Sequence, residues 1–180
     1  DQFNLVGQCN YENIMAAAAI GTAMGVPMET IRQTAYNFKA VEHRIEYTAT
    51  KKQVRYYNDS KGTNPDAAIQ GIRAMTTCLI GGGYDKGSTY DEWIEAFGST
   101  IKYLVLIGQT SKAIADCCEK HGFTNYEFAT SMEEAVEKCA SHAKPGEAVL
   151  LSPACASWGM FDNYEQRGRI FKELVRKLPD

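Results

Sequence analysis

A polar loop at residues 58–64 carries a carboxylate, an amine and two hydroxyls around a single glycine, in the sequence NDSKGTN. The β-branched and aromatic residues at 54–57 before it predict a strand. Asn64 and Pro65 are typical of the start of a helix, which is predicted over 66–75. Free backbone N–H groups and the helix dipole at such a junction favour bound anions. An ordinary capped turn explains the same residues, so the loop alone leaves both interpretations open.

Two other loops with similar side chains follow predicted strands. An apolar run at 76–80 ends in the glycine-rich sequence at 81–87, and the strand at 148–151 ends in SPACASW at 152–158. The carboxyl ends of parallel strands meet at one edge of a sheet, so the three loops are expected to share one crevice. Its lysines and hydroxyls are Lys61, Lys86, Ser60, Thr63, Ser152 and Ser157. They suit a carboxylate or phosphate ligand, since an amine about 4 Å from a carboxylate gains about 4 kcal/mol at an effective dielectric of about 20.

Motifs of other enzyme classes are missing from the sequence. The glycines at 81–83 do not continue as GxGxxG, and no Gly-Lys pair forms a phosphate loop. Ser152 and Ser157 lack the GxSxG pattern of hydrolases. His121 and His142 lie near predicted helix ends, where a histidine ordinarily interacts with the helix dipole. The sequence therefore predicts neither a dinucleotide fingerprint nor a serine hydrolase.

Four side chains near the crevice each have two explanations. Cys155 is a nucleophile or a packed small side chain. Trp158 and Tyr164 are core aromatics or walls of the crevice. Arg44 pairs with an acid or grips a phosphate. Residue type alone does not choose between these roles.

The elements that carry these loops predict an α/β protein. Strands alternate with helices and most strands are continuously apolar, which indicates a Rossmann-like, mainly parallel sheet with helices on both faces. A hairpin turning at Lys51 and Lys52 is expected to precede it. After a short strand ending at Gly7, the opening residues predict helices only. Two domains are therefore predicted, a helical segment at 1–40 and an α/β domain at 41–180.

Composition excludes several classes. A net charge of −3 with 23% charged residues gives no basic surface for nucleic acid. The apolar run at 14–23 is too short to span a bilayer, and no signal peptide precedes it, so no membrane partner is expected. The 6 cysteines have no zinc-ligand spacing, which predicts reduced thiols, a cytoplasmic location and no metal held by this chain. Nothing in the sequence demands more than a monomer.

Six segments together resemble the C-terminal part of the Mur ligase family, in particular its D-glutamate-adding branch. They are GQCNYEN at 7–13, HRIE at 43–46, NDSKGTN at 58–64, GGYDKG at 82–87, LLSPACAS at 150–157 and NYEQRG at 163–168. The resemblance covers nearly the whole chain. The loops at 58–64 and 152–157 are the segments that point to this branch.

The resemblance implies an ATP-dependent ligase of peptidoglycan synthesis that uses ATP and Mg²⁺. ATP phosphorylates the carboxylate of UDP-N-acetylmuramoyl-L-alanine, and the amine of D-glutamate then attacks the acyl phosphate. By position, Asn13 would contact the adenine, with Arg44 and Asp59 near the phosphates and ribose. The residues that would surround D-glutamate are Lys61, Thr63, Lys86, Ser157, Trp158 and Tyr164. Of these, Lys61 and Lys86 are expected to be catalytic.

The sequence departs from the family pattern at two positions. Cys9 stands where the family usually has histidine, which puts adenine contacts through that side chain in doubt. Trp158 stands where a smaller apolar side chain or phenylalanine is common, and it is expected to reshape the wall of the glutamate site.

The phosphate loop, the Mg²⁺ ligands and the UDP-binding domain of such a ligase are expected upstream of residue 1. Residues 1–40 would then be the helical tail of the central ATPase domain, and the chain alone is not expected to turn over. One alternative is another amide ligase, such as a folylpolyglutamate-synthase relative, against which the SPACAS loop argues. The other is a non-catalytic Rossmann-like module that binds an acidic ligand.

Overall fold

A computed structural model of the chain describes residues 8–73 and 77–180, so the predicted strand ending at Gly7 lies outside the described residues. The helices are α1 (Gln8–Ala23), α2 (Met28–Asn37), α3 (Pro65–Ile72), α4 (Asp91–Glu95), α5 (Ser111–Lys120), α6 (Met132–His142) and α7 (Tyr164–Lys177). The strands are β1 (Glu46–Lys51), β2 (Val54–Asn58), β3 (Thr77–Gly81), β4 (Ile101–Ile107), β5 (Tyr126–Ala129) and β6 (Ala148–Leu151).

The strands form one sheet in the order β1-β2-β6-β3-β4-β5. Strand β1 is antiparallel to β2, and every other neighbouring pair is parallel. The predicted α/β class with a mainly parallel sheet is therefore confirmed. Because β6 inserts between β2 and β3, the three strands that precede the polar loops are adjacent. This order places the three loops side by side.

The predicted hairpin is present, with its turn one residue later than expected. Strands β1 and β2 pair from Glu46 with Asn58 to Lys51 with Val54. Lys52 and Gln53 occupy the turn with φ angles of 48° and 63°. Two successive positive φ angles match the right-handed twist of the paired strands, which is why this turn type closes short hairpins.

Helix ends follow local capping signals. Asn64 accepts a hydrogen bond from the Ala67 N–H, and Pro65 occupies the first turn of α3, as predicted. This helix ends at Ile72, earlier than the predicted end at residue 75, and residues 74–76 lie outside the described part of the chain.

Apolar side chains fill both faces of the sheet. Along β3, Leu79 faces the layer of α3, α4 and α5, whereas Ile80 faces α6 and α7. Successive residues of a strand point to opposite faces, so a strand buried on both sides must be continuously apolar. Trp93 and Phe171 are the large aromatics of the two layers, and both are fully buried.

Helices α1 and α2 lie outside these two layers. All members of both core clusters come from residue 45 onward. Three methionines of this helical pair, Met15, Met24 and Met28, are 54–79% exposed. The predicted boundary near residue 40 remains a prediction. No helix in the described residues is both long enough and apolar enough to cross a membrane.

Candidate functional site

The loops that follow β2, β6 and β3 are joined to one another by backbone hydrogen bonds. The Asp59 N–H donates to the Leu151 carbonyl at 2.7 Å. On the other side, the Gly82 N–H donates to the Pro153 carbonyl at 2.8 Å, and the Tyr84 N–H donates to the Ala156 carbonyl at 2.9 Å. The predicted meeting of three separate stretches at one edge of the sheet is present in the structure.

The glycines after β3 allow this close approach. Gly82 has a φ of 96°, and a Cβ there would overlap the Ile107 carbonyl oxygen. Gly83 has a φ of 155°, and a Cβ there would overlap the Ala156 carbonyl oxygen. Only glycine fits where a backbone passes this close in such a conformation. The glycine run therefore brings the loops together, which explains its presence without a dinucleotide fingerprint.

Arg167 of α7 joins the loop after β2 to the loop after β6 through its side-chain hydrogen bonds. Its side chain is fully buried. Nε donates to the Ser60 hydroxyl at 2.9 Å, Nη2 donates to the Ser60 carbonyl at 2.8 Å, and Nη1 donates to the Cys155 carbonyl at 3.0 Å. A planar guanidinium can donate in several fixed directions at once. Sequence reasoning missed this residue, because an arginine in an amphipathic helix ordinarily faces solvent.

Lys61 rests against Tyr164 at the start of α7. Its amine lies 2.9 Å from the tyrosine hydroxyl and 4.3 Å from the ring centroid. Ser60 also contacts Tyr164, because the Ser60 hydroxyl donates to the backbone carbonyl of Tyr164 at 2.8 Å. Asn163 caps α7 by accepting from the Gln166 N–H. Tyr164 is therefore attached to the loop that carries Lys61, and its place in a wall of the crevice remains a prediction.

Lys86 lies over the second aromatic of the crevice. Its amine is 4.6 Å from the centroid of the Trp158 ring. Tyr84 packs edge-on against the same indole, with ring centroids 5.5 Å apart. Both aromatic residues are partly open to solvent, with Trp158 52% and Tyr84 39% exposed. Trp158 is therefore not a core aromatic, and its place in a wall of the crevice remains a prediction. Sequence reasoning missed Tyr84, although it lies within the glycine-rich loop.

Three other side chains of these loops, Thr63, Ser157 and Cys155, are partly or fully buried. Thr63 is partly buried beside Lys61, and Ser157 is buried with its carbonyl accepting from the Phe161 N–H. Cys155 is also buried, with its sulfur 3.3 Å from both the Tyr90 hydroxyl and the Thr110 hydroxyl. Burial raises the pKa of the Cys155 thiol, which opposes formation of a nucleophilic thiolate. The packed interpretation of Cys155 fits this environment.

Asp59 points into the protein. Its carboxylate accepts from the Ser152 hydroxyl at 2.6 Å and from the Ile45 N–H at 3.2 Å. Burial raises the pKa of the Asp59 carboxyl to about 6, although these hydrogen bonds act in the opposite direction. The predicted contact of Asp59 with a nucleotide remains a prediction. In this structure its carboxylate holds the backbone next to Arg44.

Arg44 is held outward by the residues on either side of it. His43 and Ile45 have backbone φ angles of 67° and 46°. Positive φ is uncommon for residues other than glycine, and it is a clear outlier for a β-branched residue such as isoleucine. The His43 carbonyl accepts from the Lys61 N–H at 3.1 Å, and the His43 ring nitrogen Nδ1 lies 2.9 Å from the Asn58 amide. Both neighbours are buried while Arg44 is exposed. The connector is therefore attached to the loop that carries Lys61.

Arg44 and Asn13 line the same cavity. It lies between α1, α2 and the connector and has a volume of about 730 Å³. Ala17, Ala18 and Phe38 supply apolar walls. A largely apolar cavity of this size with an amide and a guanidinium suits a nucleotide. The structure therefore places Asn13 and Arg44 in one cavity. Neither Lys61 nor Lys86 lines this cavity.

The described residues do not fit Mg²⁺. Among residues 8–73 and 77–180, Glu42, His43 and Glu46 are close enough to share an ion, but the Lys172 amine already lies 2.8 Å from Glu42 and 2.9 Å from Glu46. Asp91, Cys117 and His121 form a similar group, in which Asp91 pairs with His121 at 2.8 Å. Mg²⁺ prefers six oxygen ligands, whereas both groups include histidine.

The buried Asp59 carboxyl gives a pH prediction. Its folded-state pKa of about 6 lies above the ordinary value of 3.8, so the folded state binds this proton more tightly. Its contribution to the free energy of unfolding is therefore full below pH 3.8 and is lost as the pH rises through about 6, by about 3 kcal/mol in total. Asp59→Asn, which cannot ionise, is expected to remove this loss.

Urea unfolding of both proteins from pH 4.5 to 7.5 measures the effect. Other carboxylates titrate in both proteins, so the difference between wild type and Asp59→Asn is the relevant quantity. The wild type is expected to lose stability relative to the variant as the pH rises. A difference that does not change across this range would contradict the assignment.

The fold and the site define a class of protein. They describe an α/β domain with polar loops at the carboxyl ends of adjacent parallel strands, the edge where such sheets place their ligand sites. Residues 43–155 match the family described as Mur ligase, glutamate ligase domain. The chain belongs to the Mur ligase family.

Sequence relatives carry one name. A UDP-N-acetylmuramoylalanine–D-glutamate ligase from Lachnospira eligens is 63% identical over 177 residues, covering 97% of this chain and 39% of the relative. The ligase of the same name from Lachnoclostridium phytofermentans is 56% identical, covering 100% of this chain and 40% of the relative. The chain therefore spans about 40% of the length of these relatives.

Solved structures with low identity share the fold. A UDP-N-acetylmuramate–alanine ligase from Thermotoga maritima superposes with a TM-score of 0.71 at 15% identity, covering 96% of this chain and 39% of that one. A folylpolyglutamate synthase from Mycobacterium tuberculosis gives a TM-score of 0.66 at 13% identity, covering 98% and 42%. The α/β architecture is thus common to ligases with different names.

Proposed function

We propose that this chain is the D-glutamate-binding part of an ATP-dependent ligase of peptidoglycan synthesis. The full-length protein would join D-glutamate to UDP-N-acetylmuramoyl-L-alanine through an acyl phosphate. One observation carries the proposal: Lys61 and Lys86 come from different loops, reach one edge of the sheet and have no carboxylate oxygen within 4.0 Å among the described residues.

Two lysines without anionic partners suit an amino acid with two carboxylates. Each amine lies on an aromatic ring, which attracts a cation without neutralising it. Thr63 and Ser157 lie in the same loops and add hydroxyls and backbone N–H groups. Each carboxylate could then receive a charge-assisted hydrogen bond.

This arrangement would leave the amine of D-glutamate free to react. With both carboxylates held by the crevice, the amine can face the activated acyl group. The amine nitrogen forms the new amide bond, the acyl–phosphate bond breaks, phosphate leaves, and the amine loses a proton. The crevice residues contribute by fixing the nucleophile in position, an effect that can lower the activation barrier by several kcal/mol. Lys61 and Lys86 are catalytic in this sense of touching the substrate.

ATP would bind with its base and phosphates toward the cavity of Asn13 and Arg44. A guanidinium suits phosphate oxygens, and an amide suits the edge of adenine. Bound Mg²⁺ would neutralise phosphate charge, but the described residues do not supply its ligands. We assign those ligands and the phosphate loop to a part of the full-length protein outside this chain. Residues 1–40 would be the tail of the ATPase domain, and residues 41–180 the glutamate-binding domain.

The relatives' names support D-glutamate over the alternatives. Relatives at 63% and 56% identity are named as D-glutamate ligases, whereas the folylpolyglutamate synthase is 13% identical to this chain over the aligned part. Five cysteines are free thiols, namely Cys78, Cys117, Cys118, Cys139 and Cys155. Free thiols suit a reducing compartment, so we place the protein in the cytoplasm. We also propose that it is a monomer.

Phosphate release by the full-length protein tests this function. With ATP and UDP-N-acetylmuramoyl-L-alanine present, release is expected to require D-glutamate, and L-glutamate is not expected to replace it. The 180-residue chain alone is expected to release no phosphate under the same conditions. A full-length protein that uses L-glutamate would support the other amide ligase, and one that uses neither would support the binding module.

A further inference from the structure

Trp158 is half exposed beside Lys86, and its contacts give it a definite position. The Lys86 amine lies 4.6 Å from its ring centroid, and Tyr84 meets the indole edge-on at 5.5 Å. Tyr84 is itself fixed by the backbone hydrogen bond from its N–H to the Ala156 carbonyl. The lysine, the indole and the tyrosine therefore belong to one unit that joins two loops.

Lys86 needs such a support because it is long, exposed and without a carboxylate partner among the described residues. A free lysine side chain loses rotamer entropy when it is ordered. An indole face attracts an ammonium group and offsets part of this cost before the ligand arrives. A carboxylate support would do the same but would cancel the charge that the ligand requires.

We propose that Trp158 is a positioning residue that holds the Lys86 ammonium over the crevice, ready for a carboxylate of the amino-acid substrate. The inference rests on the proposed function for the identity of that substrate. A side chain such as leucine can fill the same wall but has no ring face. Trp158 would therefore strengthen substrate binding through Lys86 rather than through its own contact with the substrate.

Two substitutions separate a ring face from simple bulk. Trp158→Phe keeps an aromatic face, and Trp158→Leu keeps apolar volume without one. In the full-length ligase, Trp158→Leu is expected to raise the KM for D-glutamate about three- to thirtyfold with kcat changed less than twofold. Trp158→Phe is expected to stay within about threefold of wild type. Equal effects of the two substitutions, or a fall in kcat alone, would overturn the proposal.

A structural signal measured without substrate keeps the two proposals apart. Lysines of the full-length protein are dimethylated with ¹³C, which keeps their charge, and the Lys86 signal is identified by its absence in Lys86→Arg. The ring current of Trp158 is expected to shift this signal upfield, and Trp158→Leu is expected to abolish the shift. An unshifted Lys86 signal in wild type overturns the positioning role even if D-glutamate is the substrate. A shifted signal in a protein that does not use D-glutamate contradicts the proposed function alone.

Discussion

Replacing Arg167 with methionine is expected to lower the free energy of unfolding by about 3 kcal/mol and to separate the loops that form the crevice. The guanidinium makes three hydrogen bonds to Ser60 and Cys155, and its side chain is fully buried. Methionine fills similar volume but donates nothing, so the Ser60 and Cys155 carbonyls lose their arginine donor. An unsatisfied buried polar group costs about 1–3 kcal/mol.

The buried charge of Arg167 acts in the other direction. Burial lowers the pKa of this guanidinium to about 10, which reflects the cost of removing the charge from water. Removing a desolvated charge recovers part of the lost stability. We expect the unsatisfied acceptors to dominate, because methionine removes one side of the network and leaves the other side buried.

Urea unfolding at pH 7 measures this effect, with Arg169→Met as the matched control. Arg169 lies on the same helix but is exposed. The control is expected to change the free energy of unfolding by less than about 0.5 kcal/mol. Equal stability of the Arg167→Met and Arg169→Met variants would show that the network does not hold the loops.

Lys61→Met and Lys86→Met are each expected to lower kcat/KM for D-glutamate about 100-fold in the full-length protein. Truncating one partner of a close charge pair typically costs 2–5 kcal/mol, because the other charge is left without a partner. The loss is expected mainly as a higher KM for D-glutamate, with the KM for ATP changed little, because the cavity proposed for ATP is a separate one lined by Asn13 and Arg44.

Lys112→Met is the control for these substitutions. The Lys112 side chain is 85% exposed, and its one ion pair within residues 8–73 and 77–180 is with Asp116, four residues along α5. Its removal is expected to leave both KM values unchanged. If Lys61→Met and Lys86→Met behaved like Lys112→Met, the crevice would not be the D-glutamate site.

The sequence predicted those features that depend on short-range signals. Asn64 with Pro65 marked the start of α3, and the continuously apolar strands indicated a parallel sheet with both faces covered. These predictions succeeded because helix capping and strand burial depend on residues that are close together in the sequence. The placement of the loops that carry Lys61 and Lys86 at one edge of the sheet followed from the general geometry of parallel strands.

Features made by distant residues could not be predicted in the same way. The inward turn of Asp59 depends on Ser152, which is 93 positions away. The buried position of Arg167 depends on Ser60, 107 positions away. One signal was available: Gly168 follows Arg167 inside a helix, and a helical glycine often marks close packing. A Cβ there would overlap the buried His43 ring.

The most direct test is protection of individual lysines in the full-length protein. An amine-reactive reagent is applied with and without D-glutamate, and modification of each lysine is followed by mass spectrometry. D-glutamate is expected to slow modification of Lys61 and Lys86 together, to leave Lys112 unchanged, and to protect more strongly than L-glutamate. Equal modification of Lys61 and Lys86 with and without saturating D-glutamate, in a protein that turns this substrate over, would contradict the assignment of the crevice.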